Sequence, residues 1–446
     1  MAYIYYTASR DTYITEQYPS GNFGQSSILK VGRVLDGDTG QRKNYRSLLY
    51  FDFTDFNSKI NSGYITGAVT CSLRLFDCYS DEGNQPYNFD IYAHPISNYL
   101  FTEGRGISDD GYTSGASSWI QANSSNNWVI SGGDFDSSTF FSCSFENGTE
   151  DFVTNLKWWP TASNNYGLLL KLPDELESGS LSSQSYDTKR FFSKQSSTIF
   201  KPRIEIKWPD YIQDDKNKFY YSYTGYSKFC YYNFVNSVLT NLQNINNTNM
   251  LKLDIYPSGF ATPFITTYAS NSSTGIYQAS NIFVTSSYSS SINYWKLVWT
   301  SGSTAIKTEY ITGSSETQNS QLGDDQIIIK CINLKTYYNK TETARFDFFT
   351  RYRYPTYAFA SGNESLRSLI IPNMYYQIID VVDSSENYKF MPFDNECTKM
   401  SYDFDGNYFN LDMSSFHIGR VYGIQVKYLI GNQELIYPQL FKFIIK

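Results

Sequence analysis

Arg203-Ile204-Glu205-Ile206-Lys207-Trp208 alternates charged and apolar side chains without a break. Successive side chains of a strand leave opposite faces, so this order sends Ile204, Ile206 and Trp208 to one face and three charges to the other. The same pattern recurs along the chain: Leu73 and Leu75 around Arg74, Leu251, Leu253 and Ile255 around Lys252 and Asp254, Trp295, Leu297 and Trp299 around Lys296, and Phe346 and Phe348 around Asp347. Strands with one wet face belong to antiparallel sheets, because parallel sheets are covered on both faces and read as continuous apolar runs. The expected fold is therefore all-β, with tandem antiparallel β-sandwich domains of jelly-roll-like and immunoglobulin-like type.

Composition agrees. Of 446 residues, 41 are Tyr and 32 are Phe, and aromatics reach 18% while hydrophobic residues as a whole stay at 41%. A core this rich in rings suits pleated sheet, where rings pack across neighbouring strands. Two segments depart from alternation and predict short helices. Phe234, Val235, Val238, Leu239 and Leu242 recur at helical spacing within 232–243, and Glu150 to Trp159 opens with acidic residues and stops at Pro160.

The polar stretch 209–218, Pro209-Asp210-Tyr211-Ile212-Gln213-Asp214-Asp215-Lys216-Asn217-Lys218, breaks the pattern and reads as a linker. It separates a first domain, 1–208, from a second, 219–325, and a C-terminal sandwich, 326–446, with another break between Gly313 and Asp325. Residues 268–291, rich in Ser, Thr, Asn and Tyr, read as long loops or weak edge strands. Near the end, Tyr428-Leu429-Ile430 and the stretch from Leu435 to Ile445 flank Gly431-Asn432, which predicts a hairpin turning there. No clean internal repeat is present.

The formal charge of −7 is spread thinly, with Lys and Arg never gathered into a run. A surface that tracks phosphates needs clustered cations, so nucleic acid is not an expected partner. No stretch approaches the roughly 18 apolar residues of a spanning helix, and the opening Met1 to Arg10 lacks the basic and apolar regions of a signal peptide. The chain is accordingly expected to remain where it is made until something releases it. Cys71, Cys78, Cys143, Cys230, Cys331 and Cys397 form no C-x-x-C pair and are expected as reduced core residues. Six N-x-S/T sequons, at Asn123, Asn147, Asn246, Asn271, Asn339 and Asn363, follow from a Ser- and Asn-rich composition.

Chemistry finds little footing. Only two histidines exist, His94 and His417, each alone beside strand-like sequence, and both are expected to be structural. The 43 carboxylates show no spacing that singles out an acid pair. Asp36-Gly37-Asp38-Thr39-Gly40 and Asp403-Phe404-Asp405-Gly406-Asn407 resemble parts of a calcium loop, but neither has the closing Glu, and both read as polar turns. No phosphate-cradling loop and no G-x-S-x-G elbow occurs. No catalytic, cofactor-binding or metal-binding residue is assigned, no cofactor is expected, and ligand-binding residues stay unassigned. Trp119 and Trp158-Trp159 are the candidates for an exposed sugar-binding platform, with burial as the competing fate.

In order along 1–208 stand Asp11-Thr12-Tyr13-Ile14, Asn22-Phe23-Gly24, Leu29-Lys30-Val31-Gly32, Arg46-Ser47-Leu48-Leu49-Tyr50-Phe51-Asp52, Leu73-Arg74-Leu75, Glu103-Gly104, Ser118-Trp119, Asp151-Phe152-Val153-Thr154, Tyr166-Gly167-Leu168 and Lys201-Pro202-Arg203-Ile204-Glu205-Ile206. This set resembles the DNRLRE family, a β-sandwich module related to carbohydrate-binding modules and found in surface and phage proteins. The resemblance implies the fold of this region. Phe101 stands where the family usually has Trp, so sugar recognition is not carried over with it. Ala344 to Phe349, Arg351-Tyr352-Arg353-Tyr354-Pro355, Met391-Pro392-Phe393-Asp394 and Asn407 to Met413 look similar to virion structural proteins of large tailed bacteriophages.

Together these imply a non-enzymatic structural part of a tailed-phage virion, in the neck, tail or baseplate. It would dock through its β-sandwiches on other virion proteins and on copies of itself in a symmetric ring, be assembled in the host cytoplasm and be freed by lysis. The alternative is a carbohydrate-binding or host-adhesion module that meets a host surface polysaccharide.

Overall fold

The computed structural model describes the chain from residue 2 onward except for 66, 79–88, 108–114, 147–149, 158–163, 179–185, 222–225, 244, 246–249, 285–291, 316–326, 354–367, 385, 389, 391–397 and 431–432. Trp158, Trp159, Cys397, the sequons at Asn147, Asn246 and Asn363, the segments Tyr354-Pro355 and Met391 to Asp394, and the turn at Gly431-Asn432 lie outside the described residues. The chain forms two compact units, one of residues 4–58 and 70–206, the other of residues 1–3, 59–69 and 207–446. The all-β expectation holds, with two short α-helices among the described residues, Thr54–Asn61 and Asp174–Ser178.

In the first unit a four-stranded sheet (Ala2–Thr7, Arg203–Trp208, Thr70–Leu75, Phe152–Asn155) packs on a seven-stranded one. The larger sheet runs Tyr186–Phe192, Ile28–Leu35, Arg42–Tyr50, Leu168–Lys171, Phe89–Pro95, Phe141–Phe145, with Arg10–Thr15 also paired to Arg42–Tyr50. Rings join the layers: Phe152 of the small sheet lies 6.3 Å from Phe145 and 6.2 Å from Phe191 of the large one. The run Leu168-Leu169-Leu170 is buried throughout because this sheet is covered on both faces. Leu169 joins Ile14, Phe101, Trp119 and Trp128 in a separate core under the excursion that follows Pro95.

Arg203–Trp208 shows where alternation was informative and where it was not. Ile204, Ile206 and Trp208 are buried as expected, yet Arg203 and Glu205 are buried too. Their face is covered: Arg203 lies over the rings of Tyr5 and Phe76 at 5.0 and 4.9 Å and pairs with Glu205 at 2.7 Å. A charged face can be dry when each charge has a ring or a counter-ion against it.

In the second unit an antiparallel sheet runs Ser227–Tyr232, Ile276–Ile282, Ile265–Ser273, Leu251–Pro257, Trp295–Ser301, Thr304–Ile311. It curls around its own core of Leu251, Leu253, Ile255, Trp295, Leu297 and Trp299, all fully buried. Tyr231 of the first strand meets Trp299, near the opposite edge, at 5.7 Å. The Ser- and Thr-rich segment 268–291 therefore includes two interior strands rather than loops or weak edges. Small Ala269 and Ala279 with Tyr277 face the core, while the polar residues take the outer side.

Two further sheets form a C-terminal sandwich, one of Ile327–Cys331, Thr343–Tyr352, Asn407–Asp412 and Ser401–Tyr402, the other built on Met374–Asp380, Val421–Ile430 and Phe441–Ile445. Tyr376 stacks on Phe409 across them at 3.7 Å. Ile430 pairs with Gln433, so strands flank the expected hairpin position.

Both helices expected from the sequence are strands. Residues 234–239 form a hairpin, with Phe234 opposite Leu239 and Val235 opposite Val238. Its turn residues Asn236 and Ser237 have φ of 50° and 65°, the two left-handed positions of a two-residue hairpin turn. The two-residue turn sets the apolar pairs 234/235 and 238/239 of the two arms four apart in sequence, which imitates helical spacing. Phe152–Asn155 is the edge of the small sheet, with Phe152 facing inward and Val153 outward.

Candidate functional site

Among the described residues weighed for chemistry, His94, the two calcium-like loops and Trp119 have structural partners. His94 is buried, and its Nδ1 lies 3.1 Å and 3.0 Å from the carbonyl oxygens of Asp136 and Thr139. Burial lowers its pKa, against the pull of those carbonyls. The backbone N–H of His417 donates to the Tyr422 hydroxyl. In the first calcium-like loop, Asp36 accepts the Asp38 N–H and the Thr39 hydroxyl within its own turn. In the second, Asp403 accepts from the Asp405 and Gly406 N–H groups and pairs with Arg345 at 2.6 Å. Both act as Asx turns, in which the carboxylate serves its own backbone.

Trp119 is buried, with the Arg46 guanidinium 5.0 Å from its ring, and so offers no platform. Cys71, Cys230 and Cys331 are buried and Cys78 and Cys143 half-buried, all as free thiols. Among the described residues no group of three or more His, Cys, Asp or Glu is placed to hold a metal ion.

Two charge clusters built around a buried aspartate, Asp11 and Asp214, stand out, one in each unit. In the first, the Asp11 N–H donates to Glu103 Oε1 at 3.2 Å and the Asp11 carboxylate accepts the Lys194 N–H at 2.6 Å. Lys194 Nζ pairs with Glu103 at 2.9 Å. Burial pushes the Asp11 carboxyl up to about 7, against the Lys194 N–H. Beside it Asn22 Nδ2 donates to the carbonyls of Glu103 and Ser117. A Cβ on Gly24 would stand 1.9 Å from the Glu103 carbonyl, so only glycine fits. Segments far apart in the chain, and quoted above for their family resemblance, thus meet at one point. Most of their polar atoms tie loops together, while Asp11 Oδ1 and the Ser117 hydroxyl are buried without a hydrogen bond.

The second cluster was read from sequence as a linker. The segment 211–216 is instead packed inside its unit: Ile212, Asp214, Asp215 and Lys216 are all buried. Asp214 Oδ1 accepts the N–H groups of Cys230 and Lys216, and Asp215 Oδ2 accepts that of Lys228. These carboxylates occupy the outer edge of strand Ser227–Tyr232, where another strand would otherwise pair. Lys216 Nζ lies 3.3 Å from Asp214 and 3.2 Å from Glu309, and Glu309 accepts the indole N–H of Trp299. Lys216 thereby bridges the two ends of the curled sheet. Burial pushes Asp214 up to about 7, although Lys216 and the Cys230 N–H pull it back. Burial also opposes the charge on Lys216, but Asp214 and Glu309 outweigh it and hold its pKa above the ordinary value. Composition alone concealed this, because a buried ion network and a solvated linker use the same residue types.

What reaches solvent is of another kind. The outer face of the curled sheet carries Tyr268, Tyr310 and, beside it, Tyr294, all exposed, with Tyr294 and Tyr310 in edge contact at 5.4 Å. Lys296 lies over Tyr256 on the same face at 5.6 Å. The 234–239 hairpin exposes Phe234, Val235 and Val238. Fold and surface define a multi-sheet β protein whose described charge clusters brace it from within and whose sheet faces, edges and hairpins look outward.

No family model matches the chain, and no curated protein matches it. Among solved structures it is similar to titin domains Z1Z2 in complex with telethonin, at 10% identity and a TM-score of 0.14, covering 50% of this chain and 88% of that one. It is also similar to chicken CNTN1 FN1-FN3 domains, at 8% identity and a TM-score of 0.17, covering 59% and 82%. A tetra-tandem repeat from the extending region of a large adhesion protein matches at 9% identity and a TM-score of 0.17, covering 99% and 92%. The fold class rests on the chain's own sheets, since overlaps at these scores carry no argument.

Proposed function

We propose that this chain is a non-enzymatic structural component of a tailed-phage virion, in the neck, tail or baseplate, which docks on neighbouring subunits through its β surfaces. One observation carries the docking part. Both buried charge clusters, Asp11 with Glu103 and Lys194, and Asp214 with Lys216 and Glu309, are engaged in tying loops and sheet edges, while Tyr268, Tyr310, Phe234 and Val238 stand exposed on sheet and hairpin surfaces. Exposed aromatic and apolar groups on rigid sheets suit protein interfaces. The setting in a phage particle is supported by the sequence resemblances at 1–208 and between Ala344 and Met413. An antibody against the chain should follow the particle peak when lysate particles are banded in a density gradient and stripped of loose protein. If the chain stays in the soluble fraction while particles of full composition band without it, the assignment fails.

The tyrosine-bearing outer face of the curled sheet also favours a second reading, adhesion to a polysaccharide, because rings on a flat face stack on sugars. Glycan arrays probed with the full chain decide between them: binding that Tyr310→Ala and Tyr268→Ala abolish supports adhesion, and silence across the array removes it.

A further inference from the structure

The curled sheet has two edges, and they are finished differently. At Ser227–Tyr232 the Asp214 and Asp215 carboxylates take the Cys230 and Lys228 N–H groups. At the other edge, Thr304–Ile311 pairs only with Trp295–Ser301 among the described residues, and Thr304 through Thr308 are exposed. This edge has no Pro and eight residues of length, and its inner-face charges are engaged within the chain, Glu309 by Lys216 at 3.2 Å and Lys307 over the Tyr231 ring at 5.8 Å.

The direction of its free groups follows from the hairpin. Ser301 and Thr304 close a two-residue loop, Gly302-Ser303, and such a closing pair exchanges both its hydrogen bonds. Every second residue of Trp295–Ser301 then faces this edge strand, so beyond the bulge near Thr300 its partners Lys307, Glu309 and Ile311 turn their N–H groups inward. Ile306, Thr308 and Tyr310 turn theirs outward.

From this the geometry points to a contact between two copies of the chain. The edge strands Thr304–Ile311 pair antiparallel across a two-fold axis at Thr308 and join the two curled sheets into one. The register is chosen by complementarity. Centred on Thr308, it sets Ile306 opposite Tyr310 of the other copy on the outer face, and Lys307 opposite Glu309 on the inner face, twice each by symmetry. Shifted by one residue to centre on Lys307, it would oppose two lysines, and on Glu309 two glutamates. Lysine on an edge ordinarily repels a second copy; here the symmetry sets it against Glu309 of the other copy, a carboxylate that copy's own Lys216 and Lys307 already share. Lys307 and Glu309 already lie 2.9 Å apart in one chain, so their charges project on the same side as the register requires.

This inference deepens the docking reading and rests on it, naming a self-contact where that reading names only surfaces. It is tested on the isolated full-length chain, so its failure is separable from failure to find the chain in particles. Sedimentation equilibrium should show a monomer–dimer equilibrium. Thr308→Pro, which removes an outward N–H without touching the native ladder, should abolish it while circular dichroism and melting stay those of the parent chain. Lys307→Glu, which opposes like charges twice, should weaken it roughly tenfold. Thr308→Cys should cross-link with mild oxidant or a short bis-maleimide, because directly opposed Cα atoms lie about 5.5 Å apart. Thr304→Cys, some eight residues from its symmetry mate, should not. A chain monomeric at every concentration, a dimer insensitive to Thr308→Pro, or cross-linking at 304 in preference to 308 overturns the proposal. So does a Thr308→Cys chain that cross-links only to a different protein, since the edge then accepts a foreign strand.

Discussion

Replacing Asp214 by Asn tests how the curled sheet is closed. Asp214 is fully buried and its carboxyl is pushed up to about 7, whereas an unfolded Asp titrates near 3.8. Between those values the folded chain holds the extra proton, so stability falls as pH rises through that window and this group changes nothing below or above it. At about 1.4 kcal/mol per pH unit, full passage removes on the order of 4 kcal/mol. Asn keeps a carbonyl oxygen for the Cys230 and Lys216 N–H groups, and Lys216 retains Glu309. At pH 4 the substitution should cost about 1 kcal/mol, the scale of one altered hydrogen bond. By pH 8 the variant should equal or exceed the parent. The assay is urea unfolding followed by tryptophan fluorescence for both proteins from pH 4 to 8, taking the difference so that Asp11 and other titrating groups cancel. A difference that is constant with pH refutes the reasoning. One that grows against the variant as pH rises refutes it more strongly, because Lys216 would then be holding Asp214 ionised.

Trp299→Ala should destabilise by about 3–5 kcal/mol, since it empties a fully buried site and takes the indole donor from Glu309; thermal unfolding measures this. Ser237→Gly should stabilise by about 1 kcal/mol by relieving a left-handed serine in the hairpin turn, and a lower melting temperature would restore the helical alternative for 232–243. Alkylation with iodoacetamide at neutral pH, mapped by mass spectrometry, should label Cys78 and Cys143 before Cys71 and Cys331. Burial shields the last two and pushes their thiols up to about 12.

Alternation was legible because it is local. Leu251, Leu253, Ile255, Trp295, Leu297, Trp299, Phe346 and Phe348 each needed only their neighbours in sequence to be assigned to a core face, and all are buried. The all-β class followed from that. The apparent helix at 232–243 misled because spacing cannot distinguish a helical face from the two arms of a tight hairpin, and the backbone angles of Asn236 and Ser237 decide it. The segment 209–218 read as a linker because polarity predicts exposure only where nothing lies against the chain.

The sequence by itself determined that this protein is built of sheets, which side chains face their cores, and that no familiar catalytic or metal motif is present. Tertiary structure alone decided that Arg203 and Glu205 are dry, that Asp214 and Lys216 brace a sheet, and that one edge of that sheet is capped by carboxylates while the other has a single neighbouring strand among the described residues. The reason is physical. A strand's inner face is set by the order of its residues, whereas the cover over its outer face and the fate of its edge groups come from segments remote in sequence.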